Sequence, residues 1–159
     1  MTPRILILSA SVGEGHDAPA RRLAAQLRRE RPGIEVEIED CLPSMGKTVS
    51  AISEGAPRVV FFRFLWLWDI GFWVFAGFAM TRRITQFFLV RFGARGLLRL
   101  IDSHDPDIVV SVYPSATEVL GRLRKARRLH VPVCAVITDL AALRYWATPG
   151  ADLHLVTHP

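Results

Sequence analysis

The sequence predicts an α/β fold in which a parallel β-sheet is flanked by helices. Three observations predict it. Short apolar runs occur without polar alternation, helical stretches lie between them, and glycine, proline or aspartate marks the changeovers. Unbroken apolar runs belong to strands buried on both faces, the arrangement of a Rossmann-like sheet. At 159 residues, half of them hydrophobic, the chain is one domain's worth and can bury a core without disulfide staples.

The elements follow in order. Arg4-Ile5-Leu6-Ile7-Leu8-Ser9-Ala10 reads as a buried strand; as a signal peptide the run is too short, and the loop after it is charged. From His16 to Arg31 the pattern is helical, with Ala20, Leu23, Ala24 and Leu27 on one face and Pro32-Gly33 as the stop. Ile34-Glu35-Val36-Glu37-Ile38-Glu39 alternates strictly, so it is a strand with one wet face near a sheet edge. Asp105-Pro106 turns the chain into a buried strand over 107–112, and Ser115 to Leu129 is helical with a basic tail. Val133 to Ile137 is a further buried strand, and Asp152 to Val156 a last short one.

The net charge of +5 is not spread evenly. Residues 58–99 hold seven arginines against the single Asp69, whereas the flanking segments are close to neutral. The same window holds all nine phenylalanines and three of the four tryptophans, Trp66, Trp68 and Trp73. Basic charge and aromatic mass together point to an anionic, partly apolar partner. The stretch 59–80 is long enough to span a bilayer, but Asp69 lies at its middle and a span would put the strands on opposite sides. A helical segment lying in the headgroup layer fits better, with Trp66, Trp68, Phe72 and Trp73 as its apolar contacts. Arg82, Arg83, Arg91 and Arg95 supply the cations. Two ordinary core helices are the alternative. Aromatics this dense are too apolar for a nucleic-acid stacking platform, so nucleic acid is not an expected partner.

Two loops can carry chemistry. Ser11-Val12-Gly13-Glu14-Gly15-His16 joins the first strand to the first helix, where ligands of an open parallel sheet bind. Gly13-x-Gly15-x-x-Ala18 formally satisfies the dinucleotide fingerprint, with Glu39 or Asp40 placed for a ribose, so a dinucleotide-binding protein is one alternative. The bulk of His16 opposes it. Gly46-Lys47-Thr48 resembles the end of a P-loop, but Cys41 stands where its first glycine belongs. Thr138-Asp139 follows the strand at 133–137; its carboxylate can position a hydroxyl substrate or simply cap a helix. Tyr145 and Trp146 either wall the same pocket or belong to the core. Cys41 and Cys134 match no metal-ligand spacing and read as reduced structural thiols. No metal and no cofactor is called for.

These residues resemble the N-terminal domain of the monogalactosyldiacylglycerol synthase and processive diacylglycerol glucosyltransferase family. The resemblance runs through Ile5 to Ser9, Gly13-Glu14-Gly15-His16-Asp17-Ala18-Pro19-Ala20, Pro106 to Ser111 with Pro114, and Val131 to Leu140, with Trp146, Asp152 and Val156. It covers nearly the whole chain and implies the acceptor half of a GT-B glycosyltransferase, moving a sugar from a UDP-sugar to diacylglycerol. It places such a domain peripherally on the cytoplasmic face of the cell membrane, with residues 1–159 binding the lipid and 58–99 touching the bilayer. By the same resemblance, His16 and Asp139 are catalytic candidates. Gly13, Glu14, Gly15, Tyr145 and Trp146 are candidates for acceptor binding. Leu143 and Arg144 stand where relatives commonly carry a histidine, a departure that bears on the acceptor. The family's nucleotide-sugar domain has no counterpart in 159 residues, so the chain is expected to bind anionic liposomes yet transfer no sugar by itself. A non-catalytic anionic-lipid-binding module is the other alternative.

Overall fold

The computed structural model describes residues 2–11, 14–46, 79–138 and 146–156. Their order is β1 (Arg4–Ser9), α1 (Glu14–Glu30), β2 (Glu35–Asp40), α2 (Cys41–Met45), α3 (Ala79–His104), β3 (Ile108–Ser111), α4 (Pro114–Lys125), β4 (Val133–Val136) and β5 (Leu153–Leu155). The five strands form one parallel sheet in the order β2-β1-β3-β4-β5. The chain steps from β1 outward to β2, then crosses back to place β3 on the other side of β1. Strand order therefore reverses between β1 and β3, and there the crevice at the strand ends opens.

The two faces of β1 explain its unbroken apolar run. Ile5 and Ile7 enter a core with Ala20 and Ala24 of α1 and Val36, Val110 and Val112. Leu6 and Leu8 enter the opposite core with Ala94, Leu97 and Ile101 of α3 and Val119, Leu120 and Leu123 of α4. The glutamates of β2 do mark an edge strand, paired with β1. Their face is not simply wet, because Glu37 and Glu39 both stand 3.4 Å from His104 Nε2 at the end of α3.

Two boundaries differ from expectation. α4 starts at Pro114, a favoured first helical position, and ends at Lys125, four residues before Leu129. Arg127 takes a left-handed φ of 55°, and Arg128 N–H returns to the Leu123 carbonyl at 2.9 Å, which closes the helix. The short α2 was not anticipated; Asp40 caps it by accepting from Leu42 N–H at 2.9 Å.

α3 and α2 approach at backbone distance. A Cβ at Gly96 would lie 1.5 Å from the Ser44 carbonyl oxygen, so only glycine fits. The segment after 146 docks on α4 in the same way, since a Cβ at Gly150 would lie 1.8 Å from the Gly121 carbonyl oxygen.

No helix among the described residues is long and apolar enough to cross a membrane. Of the expected bilayer segment at 59–80, residues 59–78, with Trp66, Trp68, Phe72 and Trp73, lie outside the described residues.

Candidate functional site

The first turn of α1 stands over the carboxyl ends of β1 and β3. Ser9, the last residue of β1, donates its hydroxyl hydrogen to Asp17 Oδ1 at 2.5 Å, pinning that turn to the strand. Asp17 also places negative charge at the helix N-terminus, where the dipole favours it. Pro19 lies inside α1 and has no N–H, so the Gly15 carbonyl receives no helical bond from position 19. Among the described residues, a Cβ built at Gly15 would meet nothing within 4 Å.

His16 points from that turn across the crevice. Its Nδ1 lies 2.8 Å from the Val112 carbonyl, just past β3, and 3.2 Å from Thr138 Oγ1, just past β4. A carbonyl oxygen can only accept, so Nδ1 carries the proton and the neutral ring keeps its lone pair on Nε2. The Tyr113 ring meets the imidazole edge to face at 5.1 Å and 78°. The Val112–Tyr113 segment is itself braced, because the Thr117 hydroxyl lies 2.8 Å from Ser111 Oγ and 3.0 Å from the Tyr113 carbonyl. An imidazole held this way is oriented at one nitrogen and available as a base at the other.

The structure brings His16 to Thr138 although β3 separates β1 from β4, so the imidazole reaches past the end of one strand to the next. Gly13, Asp139 and Tyr145 lie outside the described residues, and Glu14 enters only as the first residue of α1. Trp146 is 2% exposed, the burial of a core side chain. Val112, Tyr113 and the Ser9–Asp17 pair were not anticipated. Asp17, two residues after Gly15, was the one sequence signal for that clamp.

The basic residues occupy a different place. Arg83, Arg91 and Arg95 are exposed along α3, which packs on the Leu6 and Leu8 side of the sheet; the Arg82 side chain is outside the described set. Ile84, Phe87, Phe88 and Phe92 are exposed on the same helix. Burial pushes the Cys41 and Cys134 thiols up, which disfavours the thiolate of both at neutral pH. Among the described residues, no three His, Cys, Asp or Glu side chains are grouped to hold a metal ion.

Residues 16–159 match the family described as monogalactosyldiacylglycerol (MGDG) synthase. The chain is similar to proteins named processive diacylglycerol beta-glucosyltransferase from Bacillus thuringiensis (strain Al Hakam), Bacillus cereus (strain AH187) and Bacillus anthracis (strain A0248). Each is 25% identical over 161 residues, covering 97% of this chain and 38% of the relative. The chain thus spans well under half the length of these relatives.

Proposed function

The chain belongs to the monogalactosyldiacylglycerol (MGDG) synthase family, and from that premise we propose that it is the acceptor-binding half of a lipid glycosyltransferase. In this reading residues 1–159 form one Rossmann-like domain that receives diacylglycerol or a similar lipid alcohol. A nucleotide-sugar domain, on the same chain or another, brings the UDP-sugar. The domain sits peripherally on the cytoplasmic face of the cell membrane, with Trp66, Trp68, Phe72, Trp73, Arg82, Arg83, Arg91 and Arg95 toward the lipid.

The observation that carries the proposal is the 2.8 Å contact of His16 Nδ1 with the Val112 carbonyl at the switch point of the sheet, which leaves Nε2 as the basic nitrogen. Nε2 takes the proton of the acceptor hydroxyl as its oxygen bonds to the anomeric carbon. The bond from that carbon to the UDP phosphate oxygen breaks, and UDP leaves with its electron pair. Asp139, next in the chain to Thr138, is positioned by sequence to stabilise the resulting imidazolium or to orient the hydroxyl. Gly13, Glu14, Gly15 and Tyr145 form the surroundings of the acceptor, while Trp146, buried in the core, does not line it.

The test is sugar transfer to vesicle-borne diacylglycerol by the chain together with its nucleotide-sugar domain. His16→Asn is expected to lower kcat by about a hundredfold to ten-thousandfold, with a smaller change in KM. Unchanged kcat would overturn the role of His16. If His16→Ala also left every phenotype intact while Arg82 and Arg83 substitutions abolished membrane attachment, a non-catalytic lipid-binding module would replace this reading.

A further inference from the structure

Two paired strands, β1 and β3, each end on a buried serine, Ser9 and Ser111, which are 1% and 0% exposed. Ser9 gives its hydroxyl hydrogen to Asp17, on the α1 side of the imidazole. Ser111 serves the opposite side. Past β3, a backbone rung runs from Val112 N–H to the Leu8 carbonyl at 3.0 Å. In an extended chain the carbonyl of a residue leaves the strand on the same edge as its N–H. There His16 Nδ1 meets the Val112 carbonyl, so the ring N–H stands in the place of a further rung.

That carbonyl shares one rigid peptide plane with the N–H of Tyr113, so whatever fixes the one fixes the other. Ser111 Oγ receives the Tyr113 N–H at 3.4 Å and donates to the Tyr113 carbonyl at 3.1 Å. A bond of 3.4 Å is long, and it holds the peptide only if Ser111 cannot turn away. The Thr117 hydroxyl, in the first turns of α4, prevents that at 2.8 Å from Ser111 Oγ. Thr117 is 0% exposed, and its own backbone N–H already reaches the Tyr113 carbonyl at 3.0 Å. The fold therefore has no need of the two hydroxyls to satisfy that carbonyl. Apolar side chains of similar size would fill the space without the cost of burying hydroxyl groups. What the pair adds is a directed acceptor for the Tyr113 N–H, and with it a fixed plane for the 112–113 peptide.

We infer that Ser111 and Thr117 are positioning residues for the imidazole, acting through the 112–113 peptide to keep the His16 proton on Nδ1 and the lone pair on Nε2. The inference rests on the reading of Nε2 as the base that takes the proton of the acceptor hydroxyl. Without the pair the peptide turns and the Val112 carbonyl leaves Nδ1. The neutral ring then also takes its other form, with the proton on Nε2, and presents a donor where the alcohol needs an acceptor. Thr138 Oγ1, at 3.2 Å from Nδ1, is the competing holder of that proton and the longer of the two contacts.

The experiment is nitrogen-15 NMR of the full chain with labelled histidine, in buffer alkaline enough to leave the rings neutral. The His16 signals are those that vanish in His16→Asn. Wild type is expected to show the Nδ1–H form alone, whereas Thr117→Val and Ser111→Ala are expected to show a mixture with the Nε2–H form. Thr117→Ser, which restores the hydroxyl, is expected to return the wild-type pattern, and Thr138→Val to retain it. Circular dichroism checks folding; should Thr117→Val fail to fold, Ser111→Ala, which deletes one oxygen, carries the comparison. In sugar transfer with the nucleotide-sugar domain, both variants are expected to lower kcat about tenfold with KM unchanged. A wild-type pattern in Thr117→Val and Ser111→Ala would overturn the inference. So would a larger change in Thr138→Val, or no recovery in Thr117→Ser. A mixed pattern with unchanged kcat would uphold the positioning and overturn Nε2 as the base. Wild type with its proton on Nε2 would overturn both.

Discussion

Arg124 and Asp152 hold together three parts of the chain that the sequence separates. The guanidinium engages both carboxylate oxygens, at 2.9 and 2.5 Å, and reaches the Leu129 and His130 carbonyls, while Asp152 also accepts from Val133 N–H at 2.8 Å. The hydrogen bond from Arg124 holds the Asp152 carboxyl below the usual carboxylate range. A depressed pKa stabilises the fold at neutral pH and ceases to do so as pH falls through the folded value. Asp152→Asn is therefore expected to cost about 1 kcal/mol at pH 7, allowing for solvent screening. Thermal unfolding scans are expected to show this difference at pH 7 and to show it shrinking below about pH 4. Asp152 was legible as a family-like position, whereas its partner was not, since side-chain bonds to remote residues leave no periodicity. The same limit applies to His16. The glycine loop and the Thr138 stretch announced a shared pocket, but what fixes the imidazole is a backbone carbonyl, which any residue at position 112 would supply.

Among the elements, those with a clean period were readable. β1 and β2 differ as an unbroken run differs from an alternating one, and their places in the sheet, inner and edge, follow from that. α2 escaped because five residues with a central proline carry no period, and α4 was drawn too long because nothing in Arg127 advertises a left-handed backbone. The full extent of α3 was hidden for a different reason. Its first half presents apolar side chains outward and its second half inward, so no single stripe runs its length. Its contact with α2 gives a sharp prediction. An exposed helical glycine gains about 1 kcal/mol on becoming alanine, but at Gly96 the added methyl would collide with the Ser44 carbonyl. Gly96→Ala is expected to destabilise by about 1–3 kcal/mol in chemical unfolding. Gly93→Ala is expected to be far milder, because the tightest contact of its added methyl would be the flexible Cε end of Met45, at 2.9 Å, with Cγ and Cβ at 3.4 and 3.5 Å.

At the scale of the molecule, the proposed chemistry and the proposed lipid contact occupy different parts of one domain. His16 lies at the strand ends, and the exposed Arg83, Arg91 and Arg95 lie along α3. In the proposed reading, residues 1–159 expressed alone are expected to bind vesicles yet release no labelled glycolipid from UDP-sugar and diacylglycerol, as checked by thin-layer chromatography. Robust transfer by residues 1–159 alone would refute their reading as an acceptor-binding domain that needs a separate donor domain. α3 also has a mechanical meaning. Its 26 residues make a rod of about 39 Å, cast at one end into the core through Leu97 and Ile101 and splinted by α2 where its glycines would otherwise soften it. A rod so mounted has no joint between its outer end and the sheet. Whatever grips the phenylalanines sets the attitude of the strand ends in the same act, as a keel sets the deck.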